Sequence, residues 1–278
     1  MLSSIIILPL VATAMAMAQT TTIRTTTLID GKGHVLHNQD ISNENGRITR
    51  IAASSKDKPG IDLSGLTVMP GWIDTHVHPT WYFNKDDRLE QGPGRGSKST
   101  PQQAALFTEG NLYATLMGGF TTVQSVGAAA DADFREMIAK DAVPGPRLLT
   151  SLAQINENSG TPEEIRALVD KLKAQGADLI KLFATASIRD GGKMTMTVDQ
   201  INATCGEAKK MGLRAIVHAH APDGARAAIM AGCTSIEHGT FLDDATLTLM
   251  RDRGVFFDPN FLVLHNYLDN KPKFSRHR

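Results

Sequence analysis

The chain is short of cysteine, of any excess charge and of long apolar runs. Only two cysteines, Cys205 and Cys233, occur in its 278 residues. They lack CxxC spacing and are too few for a disulfide framework. Their apolar surroundings predict two small buried side chains. Lys plus Arg and Asp plus Glu number 29 each, so the formal net charge is zero. With no basic run there is no footprint for nucleic acid, and there is no acidic tail. The apolar stretch from Ile5 to Val11 is too short to span a membrane. Positive charge is missing ahead of Arg24, where a secretory leader would carry it. The other parts of a leader are there: an apolar segment, then Ala16-Met17-Ala18 as an A-x-A cleavage site. Residues 1–18 are therefore expected to be a signal peptide, and the mature chain an exported protein, periplasmic or secreted, beginning at Gln19.

What remains is a globular composition, 41% hydrophobic and 21% charged, enough for a large core. Residues 19–66 are rich in Thr, Ile and Val. Asp30-Gly31 and Asn45-Gly46 supply hairpin signals between short strands. This predicts a small, partial β-domain of the sandwich type, with His34 and His37 as solvated turn neighbours. From residue 67 to 278 the rhythm changes. Helical patterns end in Gly176, Gly212, Gly232 and Gly254, each followed at once by an apolar strand, and glycine fills the left-handed cap cheaply. Thr161 with Glu164, and Thr197 with Gln200, are capping boxes. Strand–helix alternation at this pitch means parallel βα units. Seven strands are expected, near 66–74, 120–126, 146–151, 178–184, 213–219, 233–237 and 255–262. A (β/α)₈ barrel needs eight, so the fold class is an incomplete TIM-type α/β barrel.

Barrel chemistry sits at the C-terminal strand ends, and the polar residues there form a set. "VMPGWIDTHVHP" ends the first strand in Asp74, His76 and His78. Side chains at i and i+2 share a strand face. Two imidazoles so placed repel if charged and make sense if a cation holds both neutral. Lys181 lies within "DLIKLFA", His218 and His220 end "AIVHAHA", and Glu237 and His238 end "SIEHG". Taken singly, each histidine reads as a hydrogen-bonded core residue, and Lys181 as a lysine snorkelling to the mouth. At one end of several parallel strands together, they favour a divalent-metal site. By strand alternation Glu237 points away if His238 points in. Asp74 shares the face of His76 and His78, and is expected to orient an imidazole from behind.

The segments "MPGWIDTHVH", "GFTTVQSVG", "GPRLLTS", "IKLFATA", "VHAHAPDGARAAIMAGCTSIEHGTFLDD" and "FFDPNFLVLHNYL" give the chain its resemblance to the amidohydrolase superfamily of metal-dependent hydrolases. The likeness is greatest to the branch holding imidazolonepropionase-like proteins and Xaa-Pro dipeptidases. That resemblance implies two divalent ions, zinc expected. His76 and His78 would hold the more buried ion, His218 and His238 the other. Lys181 would bridge them as a carbamate formed with carbon dioxide. Two close dications repel unless anions lie between them, and a carbamate supplies one such charge. A hydroxide between the ions would attack the amide-type carbonyl of a small substrate such as a dipeptide. His220, with Lys181 counted among the catalytic residues, is expected at the substrate or behind the ligands.

The resemblance also implies a strand-eight carboxylate as general base and acid, and the sequence contains no such segment. Asp258 lies on strand seven, and Asp243 with Asp244 reads as a helix N-cap pair. The chain therefore reads as truncated, with open edges on strands one and seven and weak or absent turnover. Two other readings compete: a cyclic-amide hydrolase of the same superfamily, and a non-catalytic remnant binding metal weakly. "GPGRGSKST", residues 92–100, lacks the glycine before Lys98 that a phosphate loop needs and reads as a lid over the mouth.

Overall fold

The structure is a computed structural model that describes residues 20–92 and 97–270. The expected signal peptide, residues 93–96 of the expected lid and the terminal Ser-Arg-His-Arg lie outside the described residues. The chain divides into two compact units, residues 1–70 and 71–278.

The first unit is a single four-stranded sheet. Strands β1 (Thr20–Ile29), β2 (Val35–Glu44), β3 (Arg47–Ala53) and β4 (Ile61–Val68) lie in the order β3-β2-β1-β4. β1–β2 and β2–β3 are antiparallel, and β4 runs parallel to β1. Asn45 and Gly46 both take positive φ, 52° and 75°, the backbone that a two-residue hairpin matching strand twist requires. Arg24 meets the Asp40 carboxylate through two bonds of 2.8 and 2.9 Å. His34 pairs with Asp30 at 2.8 Å with its side chain 69% exposed, and His37 is also exposed, as expected of turn neighbours.

The second unit opens at Gly71. The run expected as one strand near 66–74 is in fact two: Leu66 to Val68 close β4, and β5 (Trp72–Val77) starts afresh. Pro70 intervenes, and a residue without an N–H cannot continue a ladder. A short hairpin follows, β6 (Tyr82–Phe83) with β7 (Leu89–Glu90), and then α1 (Pro101–Met117) and β8 (Phe120–Ser125). Next come α2 (Asp131–Ala139), β9 (Arg147–Thr150), β10 (Gln154–Ile155), α3 (Pro162–Ala174) and β11 (Leu179–Phe183). The chain continues through α4 (Val198–Lys210), β12 (Arg214–Ala219), α5 (Pro222–Met230) and β13 (Ser235–His238). It closes with α6 (Asp244–Arg253), β14 (Phe256–Asp258) and α7 (Phe261–Asp269).

All the βα strands pair in parallel, β5-β8-β9 in one sheet and β10-β11-β12-β13-β14 in the other. β9 and β10 are two pieces of the third barrel strand, separated by Leu152 at φ 58°. The last expected strand, 255–262, is only three residues long, because the backbone turns left-handed at Asn260 (φ 51°) and enters α7. Both predicted capping boxes form, and Asp243 caps α6 through Thr246 N. The four predicted cap glycines all have positive φ.

Alternation divides the strands between two cores. Ile180, Leu182, Ala215, Val217 and Ile236 face outward and pack with Ile165, Val169 and Leu172 of α3 and Ile201 of α4. Burying each such side chain contributes about 2 kcal/mol. Leu179 and Ile216 face inward and join Val126 as the apolar floor of the barrel. The inward rows continue upward through Lys181 and His218.

The two cysteines are buried as expected, at 1% and 3% exposure, but they are not free. Cys205 on α4 is disulfide-bonded to Cys233 in the turn before β13. Two cysteines make no framework, yet one bridge forms because α4 and that turn pack together, with Cα atoms 5.2 Å apart.

Among the described residues, β5 pairs only with β8 and β14 only with β13, so the barrel is open. Trp72, Ile73, Phe256 and Phe257 on these two edge strands are exposed. Replacing both cysteines by alanine, or adding reductant, should lower stability by about 3.5 kcal/mol for a 28-residue separation, on the chain-entropy relation. Urea unfolding with and without reductant measures this, and coincident curves would mean that the bridge contributes nothing.

Candidate functional site

The inward rows of β11, β12 and β13 and the end of β5 converge on a cavity of about 630 Å³. His76, His78, Lys181, His218, His220 and His238 all line it. Around them stand Trp81, Phe183, Phe257, Phe261, Val263 and Leu264, with Gln91, Gln154, Ser187 and Arg189 as polar wall. All six predicted site residues are thus brought to one place.

The imidazoles pack ring against ring. Centroids lie 5.5 Å apart for His76–His78, 5.2 Å for His76–His238 and 4.6 Å for His218–His238. His220 sits 4.7 Å from His218 and 5.2 Å from His238, and so belongs to the cluster. Its Nδ1 meets Thr240 Oγ1 at 3.0 Å, and its backbone N–H donates to Thr185 Oγ1. His78 stacks on Trp81 at 4.0 Å.

Five charged rings could not share this space. Burial first, and then neighbouring positive charge, drives His76 and His78 well below the ordinary histidine range. Burial carries His220 down to about 4. Burial, followed by His76, Lys181 and the other rings, takes His238 down to about 2, and His218 is also driven down by burial and then by His238. The cluster is therefore neutral, the state in which imidazole is a ligand.

Lys181 is fully buried. Burial lowers its amine to about 8, against the opposing pull of Glu237 and Asp258. Its Nζ lies 5.3 Å from the Phe183 ring centroid and, among the described residues, has no hydrogen-bond partner, and neither does Nδ1 of His78. A long side chain whose polar end is desolvated without compensation carries a real cost. It is not the snorkelling lysine of the simplest reading.

Two sequence expectations need correction. Asp74 does not orient an imidazole: its Oδ1 accepts the His76 backbone N–H at 3.0 Å, an i→i+2 bond typical of aspartate. Glu237 does not point away. Its Oε2 lies 2.7 Å from His76 Nδ1 and its Oε1 accepts Ser235 Oγ–H at 2.6 Å. Ser235 and Glu237 occupy the inward positions of β13, while Ile236 lies in the outer core. His238 also reaches the cavity because its φ is 69°, which breaks the alternation. Gly239 (φ 57°) continues that bend, and a Cβ there would come within 2.5 Å of the Phe257 ring. Asp258 reaches across the open side of the barrel, its Oδ2 accepting Thr75 Oγ1–H at 2.7 Å.

Among the described residues, no group of three or more His, Cys, Asp or Glu side chains is arranged to hold a metal ion as it stands. The donor chemistry nevertheless fits a divalent cation: five neutral imidazoles, and a buried amine whose nitrogen has no other partner.

The model of the amidohydrolase family matches residues 67–272. The fold is similar to that of a Xaa-Pro dipeptidase crystallised with methionine in its active site, at 29% identity and a TM-score of 0.77, covering 91% of this chain and 70% of that one. It is also similar to a prolidase complexed with N-methylphosphonate-L-proline, at 23% identity and a TM-score of 0.81, with 93% and 70% coverage. The second likeness is one of fold alone. By sequence the chain is 23% identical to the ochratoxinase of Aspergillus niger over 306 positions, covering 94% of this chain. The chain spans 62% of the length of that curated relative. With nearly three quarters of the sequence inside the family match and these residues at the barrel mouth, the chain belongs to the amidohydrolase family.

Proposed function

We propose that this site serves hydrolysis of a carbon–nitrogen bond in a small amide or dipeptide substrate, with two divalent ions, zinc expected, as its cofactor. The observation that carries the reading is Lys181: a fully buried amine with no hydrogen-bond partner among the described residues, beside a neutral histidine cluster. His76, His78, His218 and His238 would hold the ions, and Lys181, as a carbamate formed with carbon dioxide, would lie between them. Bound there, divalent ions would polarise a carbonyl and raise the acidity of water. The likeness to a Xaa-Pro dipeptidase supports the dipeptide class.

The protein's own residues do the rest. Burial keeps the rings unprotonated and available as donors. A lysine amine brought to about 8 is neutral in about a tenth of the molecules at pH 7, and the neutral amine is the form that can take up carbon dioxide. Phe183, Phe257, Phe261 and Leu264 line the cavity and give the substrate an apolar wall. His220, held through Nδ1 by Thr240, faces the same space and serves substrate contact. The two carboxylates whose charge bears on Lys181 are already engaged, Glu237 by His76 and Ser235 and Asp258 by Thr75. Proton transfer to a leaving nitrogen therefore lacks a free carboxylate among the described residues, and turnover of Xaa-Pro dipeptides by this chain is expected to be weak. The localisation we propose, export to an oxidising compartment, agrees with the Cys205–Cys233 bridge.

Elemental analysis after dialysis against zinc and bicarbonate tests the site. The wild type should retain divalent metal, while His76→Ala and Lys181→Arg should lose most of it, since a guanidinium stays charged. Retention by Lys181→Arg equal to wild type would end the bridging role. The metal-free protein should also be acid-sensitive. Buried histidines with lowered pKa leave the unfolded chain, at about 6.5, to take up protons first. Stability is then full above that pH and falls as pH drops toward the folded values. Between pH 7 and 5 the loss is about 2 kcal/mol for each ring that stays neutral. Glu237, raised by burial, works in the opposite direction and reduces the total. Urea midpoints at the two pH values measure it, and equal midpoints would contradict a neutral cluster.

A further inference from the structure

Glu237 belongs to neither the proposed ligands nor the substrate wall, yet it is only 2% exposed. Ser235 and Glu237 lie two apart on β13 and share its inner face. Ser235 Oγ–H donates to Oε1 at 2.6 Å, which fixes one side of the carboxyl group. The other oxygen, Oε2, stands 2.7 Å from Nδ1 of His76. Burial favours the neutral carboxyl, but the donors Ser235 and Asn260 and the nearby Lys181 amine favour its ionised form. An ionised carboxylate can only accept, so in that form the contact needs the ring proton on Nδ1 and leaves the lone pair on Nε2. The Asn260 amide nitrogen also approaches Nδ1, at 3.2 Å, but its two hydrogens have acceptors in the backbone carbonyl of Asp258 at 3.2 Å and in Glu237 Oε2 at 3.5 Å. A charged acceptor makes the stronger bond. No residue of β5 itself does this work: Asp74 spends its carboxyl on the backbone of His76.

We propose that Glu237, braced by Ser235, is a positioning residue that holds His76 as the Nδ1–H tautomer and so presents Nε2 as its free donor nitrogen. The purpose of this arrangement rests on the ion site proposed above, but its readout does not. Ring tautomers are read directly from long-range proton–nitrogen correlations on the ¹⁵N-labelled, metal-free full chain at one fixed pH. His76 is assigned as the resonance missing from His76→Gln. The wild type should show His76 protonated on Nδ1. Glu237→Leu should move the proton wholly or partly to Nε2, while Glu237→Gln, which keeps an acceptor, should retain the wild-type pattern. Divalent affinity, measured by zinc competition, should fall about 10- to 100-fold in Glu237→Leu and less in Glu237→Gln.

A wild-type His76 protonated on Nε2, or a Glu237→Leu protein with an unchanged tautomer, overturns the assignment. Should the leucine variant fail to fold, Ser235→Ala decides, with a smaller shift of the same sign expected and no shift counting against the bracing. A wild type that shows the Nδ1–H tautomer but binds no divalent ion sinks the ion site and leaves the assignment of Glu237 standing.

Discussion

The molecule is organised around one uncomfortable burial. An amine inside a barrel floored by Leu179, Ile216 and Val126 can be charged only at the expense of its solvation. It can be neutral only where that expense outweighs the pull of Glu237 and Asp258 on the proton. The surroundings of Lys181 strike that balance: five imidazoles kept unprotonated by their own burial, and two carboxylates engaged by other donors. The outer layer serves the same end. Well-capped helices α3 and α4 press Ile165, Val169 and Ile201 against the strands, so the sheet bearing Lys181 is apolar on its back and polar only where the rows reach the mouth.

Much of this was legible because it depends on local rules. Thr161 with Glu164 and Thr197 with Gln200 announce helix starts by satisfying backbone donors. Glycines at 176, 212, 232 and 254 announce helix ends. His76 and His78 announce a shared face by their spacing alone. The misreadings came where two segments meet or where the backbone departs from its regular period. Pairing of Cys205 with Cys233 depends on α4 packing beside a turn 28 residues on, and spacing carries no trace of that. The expected strand at 66–74 is cut by Pro70, a signal present in the sequence and outweighed by the apolar run around it. Asn260 in the left-handed region ends β14 early, and asparagine tolerates that conformation too often elsewhere for the residue type alone to show it.

The open side of the barrel has its own logic. Among the described residues, β5 and β14 each leave one edge without a strand partner and expose Trp72, Ile73 and Phe256. Yet side chains reach across it: Thr75 to Asp258 and Asn260 to His76. The first and last strands are therefore tied by polar contacts near the site even though their backbones do not pair.

The bend at His238 has a consequence for how much chemistry so small a ring of strands can hold. A regular strand offers the interior only every other residue, so crowding a lumen with polar groups ordinarily demands more strands. By turning left-handed at its last residue, β13 sends two consecutive side chains inward, a carboxyl and an imidazole. It thereby doubles the functional density of its terminus without widening the barrel.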